Sequence, residues 1–322
     1  MKKKGNDAKN GNLEVEVQTL SQNFRKLEVE NAETEEGENE VKGETEKDAN
    51  VVNFWTQADK AAIWQNKESE TSIKSEDDIK HCEHAAAHEH FIPLTDEEHD
   101  AVEKAFSSAD DEVLVTDKSL NIKITGENFR CLKPRAWLND EVINVYLKLL
   151  KEREKRDPNK FLKCHFFSTF FYKKLINEGK VYNSVRRWTS KHNLGYSLID
   201  CDKIFVPIHK GDHWCLAVIN KADQKFQYLD SRKGKDEEVM EVLAKYYVDE
   251  LKDKSEEEID VSFWKREFVK DLPEDFNRFD CGMFMIKYAD YYSKGSELCF
   301  NQDDMPHFRL KTAKEILQLR AE

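Results

Sequence analysis

Three side chains in the C-terminal half have the types needed to build an activated nucleophile: Cys281, His213 and Asp230. A thiol with a pKa near about 8.5 is mostly protonated at neutral pH. An imidazolium beside it, together with the positive end of a helix, lowers that pKa and yields thiolate. A carboxylate behind the imidazole fixes its tautomer and stabilises its charge. Gly282 would let a second segment approach the nucleophile closely, because it has no Cβ. Spacing alone leaves structural roles for all three residues open, since a His, an Asp and a Cys recur in any chain of this size.

The elements that must position them can be read from hydrophobic period. Lys203-Ile-Phe-Val-Pro-Ile-His209, His213-Trp-Cys-Leu-Ala-Val-Ile-Asn220 and Lys225-Phe-Gln-Tyr-Leu-Asp230 are short, apolar and β-rich. The turn-like stretches Lys210-Gly-Asp and Lys221-Ala-Asp-Gln separate them, which predicts consecutive antiparallel strands. His213 then opens one strand and Asp230 ends the next. Cys281 to Tyr292 is apolar almost throughout and reads as a buried helix that begins at the thiol, after the turn-like segment Pro273 to Asp280.

Upstream, Thr95-Asp-Glu-Glu98 is a capping-box pattern ahead of Val102, Ala105 and Phe106 at helical spacing. Leu120 to Thr125 alternates like a strand. Trp137 to Leu150 reads as a helix capped by Asn139 or Asp140, with Val142, Ile143, Tyr146, Leu147 and Leu150 on one face. Further helices are expected over Phe166 to Ile176, Val239 to Leu251 and Leu310 to Leu319, and a strand over Phe263 to Val269. Helices flanking a cluster of strands make the class α+β.

The 322 residues divide into an acidic extension, 1–90, expected to be disordered, and a folded domain, 91–322. Between Glu28 and Asp48 ten acidic residues face only Lys42 and Lys47. Such a segment cannot bury enough apolar surface to offset its ordering entropy. Val51, Val52, Phe54, Trp55 and Trp64 form a small apolar island, read as a transient helix. Lys2 to Lys4 are read as a solvated terminus rather than an import signal. The net charge of −13 argues against nonspecific nucleic-acid binding, which needs clustered cations. No apolar run is long enough to span a membrane, and the N-terminus does not read as a secretory signal.

The seven scattered cysteines show no CxxC spacing and suit a reducing compartment better than a disulfide framework. His84 and His88, within the cluster His81, Cys82, His84, His88 and His90, have helical i,i+4 spacing. No second ligand group follows at finger-like distance, so a solvated linker is the preferred reading. No metal, nucleotide or flavin is expected.

Several motifs occur in order: Trp137-Leu-Asn-Asp-Glu-Val-Ile-Asn, Val185-Arg-Arg-Trp-Thr, Val206-Pro-Ile-His, His213-Trp, Tyr228-Leu-Asp-Ser, Asp280-Cys-Gly-Met-Phe and Met305-Pro-His-Phe-Arg. Together they resemble the SUMO-specific (ubiquitin-like-specific) cysteine protease family, the Ulp and sentrin-protease group, and most closely its plant early-in-short-days type. The resemblance covers residues 91 to 322. It implies a papain-like cysteine protease fold with a short central mixed or antiparallel sheet flanked by helices. It also implies the triad His213, Asp230 and Cys281, and a Gly-Gly tunnel formed by Trp137 and Trp214, where only residues without a Cβ pass between two rings. Asn139 to Glu141 falls where the family meets the SUMO surface, while Trp188, His209 and His307 are read as packing or surface residues. The implied partners are SUMO precursors and SUMO-conjugated proteins. A monomer in the nucleus, with the cytoplasm as a second location, is the expected state.

Two positions depart from the family pattern. The family places a glutamine six residues before the nucleophile to donate to the oxyanion, and here that position is Asp275. An ionised carboxylate has no proton to donate and repels an oxyanion; loss of one such donor costs about 10²–10³ in rate. Arg278 replaces a small residue three before the cysteine. It incurs a backbone penalty if the position needs positive φ, and is one possible neutraliser of Asp275. Four readings therefore stand: an active SUMO protease, a weakened relative that binds SUMO without efficient turnover, a protease for another ubiquitin-like tail, and a structural protein.

Overall fold

The structure is a computed structural model and describes residues 92–177, 182–255 and 260–322. The acidic extension, the apolar island and the His81–His90 cluster lie outside the described residues.

Helix α1, Asp96–Phe106, opens with the expected capping box: the Thr95 hydroxyl accepts from the Glu98 N–H at 3.2 Å, and the Glu98 carboxylate accepts from the Thr95 N–H at 3.0 Å. A two-stranded antiparallel ribbon follows, β1 (Val113–Asp117) with β2 (Ile122–Thr125). Helix α2, Asp140–Arg156, is capped by Asn139, whose Oδ1 accepts from the Val142 N–H at 2.9 Å. The expected Phe166–Ile176 helix is shorter: Cys164–Phe166 is strand β3, and helix α3 runs Phe170–Ile176.

The main sheet continues with β4 (Lys203–Lys210), β5 (His213–Asn220) and β6 (Lys225–Leu229). Helix α4 is Glu237–Lys254, and strand β7 is Lys265–Phe268. Helix α5, Cys281–Lys294, and helix α6, Met305–Leu317, close the chain. The five strands lie in the order β3-β4-β5-β6-β7. The inner pairs are antiparallel and the two outer pairs parallel, so the sheet is mixed. It is the α+β architecture expected.

Alternation divides the strands between two cores. Phe205, Trp214, Leu216, Val218 and Leu229 face α5, with α1, α2 and α6 behind it. Ile204, Val206, Ile208, Cys215, Ala217, Ile219, Phe226 and Tyr228 join the core of α3 and α4. Because both faces are covered, β4 and β5 read as continuous apolar runs. Helix α5 is buried on nearly every side, and its few charges are paired: Asp290 meets Arg153 at 2.7 Å, and the Lys287 ammonium donates to the Tyr146 hydroxyl at 2.7 Å. Burying each of the larger apolar side chains contributes about 1.5–3 kcal/mol, and this is what fixes the start of α5 against the edge of β5.

Candidate active site

Antiparallel pairing of β5 with β6 sets the start of one strand beside the end of the other. Leu216 pairs with Leu229, so His213 and Asp230 emerge at the same edge of the sheet. The His213 Nε2 lies 2.7 Å from Asp230 Oδ1, and that oxygen also accepts from the Arg232 N–H at 2.8 Å. Burial works against the Asp230 charge, but these two bonds outweigh it and hold the carboxyl below its ordinary value. Burial likewise opposes a charged His213. The bond to Asp230 and the contacts with the Cys215 and Cys281 thiols outweigh it and keep the imidazole protonated well above its ordinary range. With Nε2 taken by Asp230, Nδ1 is the nitrogen left for sulfur. It is buried and makes no well-aligned hydrogen bond among the described residues.

Cys281 is the first residue of α5 and is 1% exposed. The carbonyl of Asp280 accepts the first intrahelical bond, from the Phe284 N–H. The N–H groups of Cys281, Gly282 and Met283 therefore sit at the open, positive end of the helix. Asp280 does not cap them, because its carboxylate is held by Arg309, Asn277 and Gln302. A Cβ on Gly282 would lie 3.0 Å from Leu138 and 3.2 Å from the Trp214 ring. Glycine is thus what lets α5 approach the Trp137–Leu138 segment this closely.

The two tryptophans differ in exposure. Trp214 is 4% exposed; its indole N–H donates to the Leu138 carbonyl at 3.2 Å and its ring stacks on His209 at 4.2 Å. Trp137 is 54% exposed, donates to the Arg278 carbonyl at 2.9 Å and lies 6.1 Å from the Phe279 ring. Trp137 is therefore the open ring of the two, while Trp214 is buried beside the first turn of α5. Trp188 packs partly buried 6.0 Å from Phe171, as expected of a core residue.

The loop before the nucleophile corrects one expectation. Arg278 does not neutralise Asp275 through its side chain. The Asp275 Oδ1 accepts the backbone N–H groups of Asn277 and Arg278 at 3.1 and 3.0 Å, and Oδ2 faces Arg232 Nε at 3.3 Å. The neutralising charge is Arg232, which also donates to the Arg278 carbonyl at 2.9 Å. The carboxylate is buried; Oδ1 caps the turn, while Oδ2 takes the guanidinium. Arg278 does adopt the left-handed backbone, φ +67°, where an arginine is strained.

Three residues that position the site carried no assigned role in the sequence. Arg232 is one. Gly234 is another: a Cβ there would meet Asp230 Oδ2 at 2.2 Å, so glycine lets the loop lie against the carboxylate. The third is Arg309, 1% exposed, which ends the Met305-Pro-His-Phe-Arg motif. Membership in that motif was its only signal.

A thiol leading a buried helix, an imidazole at the start of the neighbouring strand and a carboxylate bonded behind it define the site of a papain-like thiol hydrolase. The chain belongs to the Ulp1 protease family: residues 136–321 match the model of its C-terminal catalytic domain. It is 63% identical over 236 residues to ubiquitin-like-specific protease 1A of Arabidopsis thaliana, covering 73% of this chain and 47% of that protein. It is 58% identical to ubiquitin-like-specific protease ESD4 of the same plant, covering 73% of this chain and 48% of that protein. The chain thus spans about half the length of these curated relatives. Its fold matches the X-ray structure of the C-terminal Ulp1 protease domain in complex with Smt3, the yeast ortholog of SUMO. That match has a TM-score of 0.61 and 28% identity and covers 70% of this chain and 96% of that one.

Proposed function

We propose that this chain is a SUMO-specific cysteine protease that processes SUMO precursors and releases SUMO from lysines. The observation that carries this reading is the 2.7 Å Asp230–His213 bond beside the thiol that heads α5, in a chain of the Ulp1 family. The Cys281 thiolate attacks the carbonyl carbon of the terminal glycine. The oxyanion forms at the open N–H groups of α5, where fixed dipoles stabilise developing charge. The His213 imidazolium protonates the departing amine, either a peptide nitrogen or a lysine Nε, and a thioester remains on Cys281. Water then gives a proton to His213 and attacks the thioester; the glycine carboxylic acid leaves, its proton passes to the free amine in solution, and the thiolate–imidazolium pair is restored. Trp137 and Trp214 confine the tail so that only residues without a Cβ pass. Work in the nucleus as a monomer belongs to the same reading and rests on the family resemblance.

Asp275 favours a second reading, a SUMO-binding relative with weak turnover, because a carboxylate stands where the family places a donor. Its pairing with Arg232 removes much of the repulsion that this reading relies on. The test incubates the full chain with a SUMO precursor, a SUMO conjugate and a SUMO vinyl-sulfone probe, beside Cys281→Ser. Cleavage plus an adduct on Cys281, both absent in the variant, is the expected result. An adduct without turnover would select the second reading, and neither would overturn both.

A further inference from the structure

A second thiol shares the imidazole. Cys215 lies two residues along β5 from His213, so strand alternation puts both side chains on one face. Continuing the β5–β6 register one step beyond Leu216 and Leu229 sets Asp230 across from Cys215. One donor atom from each of His213, Cys215 and Asp230 lies within 4.8 Å of the others; among the described residues, no other such group forms. Cys215 is a free thiol and 5% exposed. Hydrolysis through Cys281 gives it no task.

One imidazole nitrogen, one sulfur and one carboxylate oxygen are a zinc donor set, whereas magnesium and calcium prefer oxygen alone. Tetrahedral zinc spaces nitrogen and oxygen donors about 3.3 Å apart and places sulfur about 3.5 Å from either. The 2.7 Å His213–Asp230 pair has to open by roughly half an ångström and the sulfur to close in. Both are side-chain adjustments at strand ends. Zinc takes cysteine as thiolate and histidine as neutral imidazole, so binding releases the protons these ligands carry.

We propose that His213, Cys215 and Asp230 form an inhibitory zinc site in which the metal breaks the His213–Asp230 pair, so that the imidazole no longer serves Cys281. The inhibitory consequence rests on the hydrolase reading; the binding does not.

The test uses the full chain carrying Cys281→Ala, which removes the nucleophile's own sulfur. His81, Cys82, His84, His88 and His90 are all replaced by Ala in every chain, so that the His/Cys cluster of the extension cannot contribute metal ligands. Zn²⁺, Co²⁺ and Mg²⁺ are titrated separately. One Zn²⁺ is expected per chain, with a sulfur-to-cobalt charge-transfer band on loading with Co²⁺ and no response to Mg²⁺. Cys215→Ser weakens Zn²⁺ at least tenfold and abolishes the cobalt band. Cys215→Ala serves as a second variant, and thermal melts confirm that both fold. With Cys281 present, Zn²⁺ inhibits SUMO-precursor cleavage, a chelator restores it, and Cys215→Ser raises the half-inhibitory concentration at least tenfold. Equal zinc affinity in a folded Cys215 variant, or a missing cobalt band in the parent, overturns the site. Failure to cleave SUMO overturns the hydrolase reading and leaves the binding result standing.

Discussion

Arg309 grips Asp280, the residue immediately before the nucleophile, through two bonds to one oxygen: Nη2 at 2.6 Å and Nε at 2.8 Å. The same guanidinium donates to the carbonyls of Cys131, Lys133, Ala136 and Phe279. It thereby ties the start of α5 to the segment that leads into Trp137. A lysine there keeps the charge but not the planar fork of donors. Arg309→Lys is expected to destabilise the fold by about 1–3 kcal/mol, the scale of leaving a buried acceptor without its donor, and to lower kcat more than KM. Thermal melts and steady-state kinetics check this; a variant with parental Tm and kcat would show the clasp to be idle.

Arg232 and Asp275 act as one unit, so their substitutions should not add. Arg232→Leu leaves the Asp275 carboxylate unneutralised in the loop that leads to the thiol, and kcat should fall at least tenfold. Asp275→Gln restores an amide that can donate, and kcat should rise by up to about 10². In the Asp275→Gln background, Arg232→Leu should cost little. A double-mutant cycle on a SUMO–fluorophore substrate measures this coupling. Additive effects would refute it.

Gly282→Ala puts a methyl group against Leu138 and Trp214. Overpacking of this kind costs about 1–3 kcal/mol. Because the displaced groups border the nucleophile, turnover should fall more than stability does. Parallel measurement of Tm and kcat tests the split, and unchanged kcat would mean that the contact is relieved elsewhere.

Asp290 compensates Arg153, Lys287 and Lys294 in the core. Burial raises its carboxyl, but the three cations outweigh burial and hold it well below its ordinary value. A depressed carboxylate contributes stability that is complete above its unfolded pKa, about 3.9, and is lost as pH falls toward the folded value. Asp290→Asn should therefore lower Tm at pH 7 and flatten the decline in Tm below about pH 4. Chemical or thermal unfolding between pH 2 and 7 reads this directly; a variant with the parental acid limb would contradict it.

How much was legible in the sequence varied with how local the signal was. The Thr95–Glu98 capping box, the Asn139 cap, the strands around His213 and the buried helix at Cys281 all follow from patterns within a few residues. The boundary at Phe166 was misjudged because aromatic residues suit a strand and a helix alike. Only pairing with β4 drew Cys164–Phe166 into the sheet. The partner of Asp275 was also out of reach. Arg278 is three residues away, yet the charge that meets Asp275 comes from Arg232, 43 positions back.

By itself the sequence determined which residues had the chemistry and which elements carried them, because hydrophobic period and caps are set by neighbours along the chain. The tertiary structure alone decided how distant segments met: Arg232 on Asp275, Arg309 on Asp280, and Cys215 beside His213 and Asp230. Those contacts depend on strand register and on which turns the packed cores bring together. Short-range spacing does not record either one.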